Sequence, residues 1–106
     1  MGKLNLELIK AVLEDSFPGY ILSRGYQYHQ EGKVVDLEYT NNGIKAKVQG
    51  SKGRKYRVKG ALLTDQLALN CDCPYDGHCK HQSAVLYELR IKFSRLTKRQ
   101  IPFTPA

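Results

Sequence analysis

The 106-residue sequence lacks any apolar run long enough to span a membrane, and no apolar N-terminal segment precedes a small-residue cleavage site. It also lacks internal repeats, a glycine-rich phosphate loop and low-complexity segments. Cysteine is scarce, because the chain contains only three, an odd number that does not fit a framework of disulfides. We therefore expect a small cytoplasmic protein with reduced cysteines, no membrane partner and no small-molecule substrate.

All three cysteines fall within residues 71–81, the stretch Cys-Asp-Cys-Pro-Tyr-Asp-Gly-His-Cys-Lys-His. Three thiolates and one imidazole form one of the commonest structural zinc sites, in which four soft or borderline ligands surround the ion as a tetrahedron. Reduced core thiols or a single disulfide explain an odd count concentrated in one loop less well. The pattern predicts one structural Zn²⁺ ion bound by Cys71, Cys73, Cys79 and His81.

The spacing within this cluster explains how four ligands reach one point. Side chains two apart in a strand lie on the same face, so Cys71 and Cys73 aim both sulfurs the same way. We expect Cys79 and His81 at the start of a helix, whose N-terminus favours negatively charged thiolates. His78 is an alternative fourth ligand, but its position directly beside Cys79 makes a shared direction difficult, so His81 is favoured.

Catalysis at this site is not expected. Catalytic zinc normally keeps a water molecule in its fourth position, whereas a set of three cysteines and one histidine is closed. The sequence also shows no paired carboxylates and no nucleophile next to a base, and Asp72, beside the ligands, is interpreted as a loop residue. We therefore expect a protein that is not an enzyme.

The order of apolar and turn residues predicts an α+β fold. Helical spacing indicates two N-terminal helices, over residues 4–14 and 20–31, with a close packing contact at Gly25 and a left-handed cap at Gly32. A last helix carries Val85, Leu89 and Phe93 on its inner side. Between them, alternating residues and turn signals such as Asn-Gly predict a four-stranded antiparallel meander sheet that leads into the zinc loop. Its strands are expected at residues 34–39, 44–49, 54–63 and 67–71.

The ligand pattern Cys-x-Cys, five residues, Cys-x-His resembles that of the SWIM-type zinc finger. This finger occurs in bacterial Swi/Snf-type helicase-like ATPases, Mutator-type transposases and some eukaryotic signalling proteins. Upstream, Arg24-Gly25-x-x-Tyr28 followed by Gly32-x-Val34 resembles the segment that precedes the finger in the bacterial members. The similarity covers about residues 20–93.

The resemblance implies a zinc-stabilised module that binds DNA or protein partners. The chain has no ATPase region, so we expect a stand-alone module or an N-terminal part of a larger protein, and the ATPase activity is not carried over. The resemblance also suggests a division into three segments. These are an N-terminal helix and linker (1–19), a SWIM-like zinc-binding domain (20–94) and a basic, proline-containing tail (95–106).

The distribution of charge indicates a partner independently of any family. Lysine and arginine number 17 against 10 acidic residues, giving a net charge of +7, and residues 40–64 contain no acidic residue. Strand alternation places the cations of this stretch on common faces, which would attract a phosphate backbone. A basic face that only keeps the protein solvated is the simpler alternative. The predicted nucleic-acid contacts are Lys45, Lys47, Arg54, Lys55, Arg57 and Lys59.

DNA, contacted mainly through its phosphates, is the preferred partner, and RNA is the second choice of polymer. The alternative function is a zinc-stabilised adaptor for protein-protein interaction. In that case the basic face would meet an acidic patch on a protein partner, for example a helicase-like ATPase.

Overall fold

The computed structural model describes residues 4–50, 53–63, 66–73 and 79–100, with side chains as far as residue 95. The four strands form one antiparallel sheet in the order β1-β2-β3-β4. The predicted α+β fold, with N-terminal helices, a meander sheet and a C-terminal helix, is confirmed. The elements along the chain are α1 (Leu6–Ser16), α2 (Gly19–Gln30), β1 (Val34–Tyr39), β2 (Gly43–Gln49), β3 (Lys55–Leu63), β4 (Gln66–Cys71) and α3 (Lys80–Gln100).

The first two helices begin and end where the local chemistry favours it. Asn5 caps α1, because its side-chain oxygen accepts a hydrogen bond of 2.8 Å from the backbone amide of Leu8. Pro18 is the N-cap residue of α2, and its carbonyl oxygen accepts hydrogen bonds of 3.0 Å from the backbone amides of Ile21 and Leu22. After α2 the chain turns at Gly32, which has a φ of 73° and so confirms the predicted left-handed conformation.

Helices α2 and α3 cross closely because α2 carries a glycine at the contact. Gly25 is buried, and a Cβ atom added there would overlap Ser83 Oγ and lie 2.8 Å from Ser83 Cβ. The Ser83 hydroxyl lies within hydrogen-bonding distance of the carbonyl oxygens of Ile21, at 3.3 Å, and Lys80, at 3.0 Å. The predicted packing contact at Gly25 is confirmed, and it fixes the first turn of α3 against α2.

One face of the sheet packs against the helices and forms the core. Burial alternates along β2 and β3, so that every second residue faces inward. Of the predicted inner residues of α3, two are fully buried and Phe93 is half-buried against the core. Burying a side chain the size of Leu86 stabilises the fold by about 1.5–3 kcal/mol. The buried residues of this layer are Ile44, Ala46, Val48, Val58, Val85, Leu86 and Leu89.

Two further features concern the ends of the chain. Helix α1 packs against α3, and the backbone of α3 continues to Gln100, into the segment predicted as a tail. The division of the chain at residues 19 and 94 stays a prediction, and residues 101–106 lie outside the described part. Within the described residues, no helix combines the length and apolar character needed to cross a membrane.

Candidate metal centre and basic sheet face

The predicted metal ligands come together where the sheet meets the last helix. Cys71 is the final residue of β4 and Cys73 follows two residues later, while Cys79 and His81 lie at the N-terminus of α3. The ligand atoms of these four residues all lie within 4.8 Å of one another. Cys79 and His81 are buried, and the other two cysteines are half-buried. We call these four residues the Cys₃His cluster.

The distances within the cluster suit a tetrahedral metal ion. His81 Nδ1 lies 3.8 Å from the Sγ atoms of both Cys71 and Cys79. Zinc bonds of about 2.3 Å to sulfur and about 2.0 Å to nitrogen would place these atoms about 3.6 Å apart in a tetrahedron. Nδ1 is therefore the nitrogen directed at the sulfurs. The other ring nitrogen, Nε2, is buried and has no hydrogen-bond partner among the described residues.

A contact between two thiols of the cluster shifts their pKa values in opposite directions. A hydrogen bond with Cys71 lowers the pKa of Cys79, and the same contact raises the pKa of Cys71. The backbone amide of Gln82, in the first turn of α3, adds a hydrogen bond that lowers the pKa of Cys79 further. This is the contact through which the N-terminus of α3 was expected to favour a thiolate. A bound metal cation would favour the thiolate form of both cysteines at once.

The described residues therefore fit one metal ion held by Cys71, Cys73, Cys79 and His81. Such an ion would join the end of β4 to the start of α3. The competing ligand, His78, belongs to residues 74–78, which lie outside the described part of the chain.

Aromatic rings surround the histidine of the cluster. The ring of Tyr56 lies 4.7 Å from that of His81, tilted by 33°, and the ring of Tyr28 meets it edge-on at 5.7 Å. Gly50 allows the approach of Tyr56, since a Cβ atom at this position would lie 2.5 Å from the Tyr56 ring. These contacts join residues far apart in the chain, and no local pattern in the sequence indicated that the two tyrosines pack against His81.

Asp72 links the cluster to β3. Its carboxylate accepts hydrogen bonds from the backbone amide of Arg57, at 2.8 Å, and from Arg57 Nε, at 3.3 Å. The first of these contacts lowers the pKa of the Asp72 carboxyl. From the sequence, Asp72 is interpreted as a loop residue. Because Cys71 and Cys73 share one side of the alternation, Asp72 between them faces the other side, where Arg57 of β3 lies.

Five of the six cations predicted to contact nucleic acid lie on the face of the sheet opposite the core. All six are exposed, and Arg54 stands just before β3. In the register of β2 and β3, Lys45 is paired with Lys59, and Lys47 with Arg57. We define the basic face as Lys45, Lys47, Lys55, Arg57 and Lys59.

Acidic residues occur at the edges of the basic face. Lys47 Nζ lies 3.9 Å from the Asp36 carboxylate, and Arg57 contacts Asp72 as described above. Asp36 has a φ of 53° at an irregularity in β1, where the pairing register shifts. Among the described residues, no ion pair is formed by Lys45, Lys55 or Lys59, although Glu38 lies opposite Lys45 in the register. The cations of the basic face that have no acidic partner among the described residues therefore lie on the two central strands.

Comparison with known proteins gives one sequence relative of note. The chain is 43% identical over 49 residues to the uncharacterized protein Rv2102 of Mycobacterium tuberculosis. The aligned stretch covers 46% of this chain but 18% of that protein, so the two share a segment that is less than a fifth of the relative's length. No model of a known protein family matches the sequence, and no solved structure matches the fold at a significant level.

Proposed function

We propose that the chain is a non-catalytic, SWIM-like zinc-binding module that binds nucleic acid through the basic face of its sheet. The Cys₃His cluster would hold one structural Zn²⁺ ion. The soft donor set supports zinc, and four protein ligands leave no coordination position for a reacting water molecule. The ion would cross-link β4 to α3. Its binding free energy would add to the folding stability of a domain of this small size.

The observation that carries the nucleic-acid proposal is the pairing of like charges across β2 and β3. Directly opposed cations such as Lys45 and Lys59 destabilise a sheet relative to neutral pairs. The fold does not need them, because the core lies on the other face. A phosphate backbone would supply the missing negative charge, and we expect contacts to DNA first and RNA second.

Fluorescence anisotropy with a labelled DNA duplex tests the proposal. We expect micromolar or tighter binding at low salt, and an affinity that falls steeply as salt increases. Lys59→Ala should weaken binding for all sequences alike and reduce the slope of log affinity against log salt by about 0.9, the value for one phosphate contact.

The matched control is Lys10→Ala. Lys10 is an exposed lysine on α1, away from the sheet. Its substitution removes the same charge from the whole protein. Equal effects of the two substitutions would show that net charge alone is responsible. Absence of binding by the unmodified protein at low salt would overturn the proposal and leave the protein-adaptor function as the one to test.

A further inference from the structure

A cavity of about 340 Å³ lies beside the Cys₃His cluster, between α2 and the ends of β2 and β3. Three cluster residues, Cys73, Cys79 and His81, form part of its wall. Its volume is far larger than a metal ion needs and falls within the range of about 300–1,000 Å³ that small-molecule sites occupy. The structural role proposed for the metal does not use this space.

One wall of the cavity is a single stripe of α2. Tyr20, Arg24 and Tyr28 follow one another at intervals of four residues, so they share one side of the helix, and all three line the cavity. Tyr56 contributes a ring from β3. Tyr28 and Tyr56 are half-buried and pack on His81, and Tyr20 is 62% exposed, the most exposed of the three rings. Tyr20 therefore offers the ring most open to an incoming planar group.

Two side chains of the lining are cationic. Arg24 and Lys80 both line the cavity, and the described lining residues include no carboxylate. Lys80 Nζ lies 5.2 Å from the centre of the Tyr28 ring, which holds the ammonium group beside the aromatic wall. Aromatic rings next to unneutralised cations are the combination that single-stranded nucleic-acid sites use, with rings for bases and cations for phosphates.

We propose that this cavity receives one unstacked nucleotide of a single-stranded nucleic acid, with its base against Tyr20 and its phosphate near Arg24 and Lys80. The inference rests on the proposed nucleic-acid function and narrows it. A concave site for one base requires that the base leave its stack, which costs less free energy in a single strand than in a duplex. The basic face, by contrast, contacts phosphates of either form. The cavity therefore gives the protein a preference for single strands.

The experiment measures the affinity of each variant for two fluorescein-labelled probes, a 12-nucleotide oligothymidylate and a 12-base-pair duplex, at one low salt concentration. Tyr20→Ala should weaken binding of the single strand at least about five-fold, the effect of losing one base-stacking ring. It should change duplex binding less than about two-fold. Tyr20→Phe keeps the ring and should restore single-strand binding. Arg24→Ala should act in the same direction as Tyr20→Ala.

Tyr26→Ala is the matched control. Tyr26 is a 42% exposed tyrosine on the same helix, but it packs against Tyr87 and does not line the cavity. Both tyrosines are exposed enough for the variants to fold, which thermal unfolding would verify. Unchanged single-strand affinity in Tyr20→Ala, with both probes bound by the unmodified protein, would overturn this inference alone. Binding of neither probe would overturn it together with the proposed function.

Discussion

Like charges are brought together at two places in this molecule, and the two places differ in their exposure to water. In the Cys₃His cluster, sulfurs that would be charged as thiolates when bound to a metal lie within 4.8 Å of one another, and half of the ligands are buried. On the basic face, cations such as Lys45 and Lys59 stand opposite one another in full contact with solvent. Each arrangement is unfavourable unless a partner of the opposite charge is present.

The difference in burial decides what kind of partner each place needs. Water and salt screen the exposed cations, so the basic face stays folded without a ligand and can bind a polyanion reversibly. Water screens the buried and half-buried sulfurs of the cluster less well, so their thiolate forms need a cation held beside them. The Cys₃His cluster is therefore suited to a resident metal ion, and the basic face is suited to an exchangeable partner.

Removal of a ligand of the cluster should have the largest effect. Because metal binding and folding share their free energy, His81→Ala should abolish metal binding and lower the midpoint of thermal unfolding by at least about 10 °C. Differential scanning calorimetry with and without chelator measures this. The chelator should lower the midpoint of the unmodified protein and leave that of His81→Ala unchanged. A midpoint insensitive to chelator in both proteins would contradict a resident metal.

The helix crossing that holds α3 beside the cluster should be the next most sensitive place. Gly25→Ala should destabilise the protein by about 1–3 kcal/mol, because the new methyl group meets Ser83 and forces the helices apart. Chemical denaturation measures the change. Gly19→Ala is the control, since nothing lies within 4 Å of a Cβ atom there. Equal effects of the two substitutions would show that the crossing is not tightly packed.

A charge reversal on the basic face should have a small effect of the opposite sign. Lys59→Glu replaces a repulsive pair with Lys45 by an attractive one and should stabilise the protein by about 0.2–1 kcal/mol. The same substitution should weaken DNA binding, so stability and binding move in opposite directions. Denaturation and anisotropy on one preparation measure both. A loss of stability would indicate that Lys59 supports the fold. It would contradict the view that the fold does not need the cations of the basic face.

Periodic features of the fold could be predicted from the sequence. The period of two in β2 and β3 placed Lys45 and Val48 on opposite faces, and β1 has the predicted bounds. The spacing of the ligands placed the cluster between the sheet and the last helix. The helix ends were less predictable, because they depend on single contacts such as the cap formed by Asn5.

Contacts between residues distant in sequence could not be predicted in the same way. The hydrogen bonds between Asp72 and Arg57 depend on the register of β3 and β4, and the contact of Tyr56 with His81 depends on how α3 packs on the sheet. The left-handed conformation of Asp36 likewise follows from an irregular pairing that no local pattern marks. The cavity beside the cluster arises from these same long-range contacts.

Native mass spectrometry of protein purified without chelator tests the central claim most directly. If the Cys₃His cluster holds the proposed structural metal, the spectrum should show one zinc ion per chain, lost in His81→Ala. A folded, unmodified protein whose mass includes no metal would contradict the account.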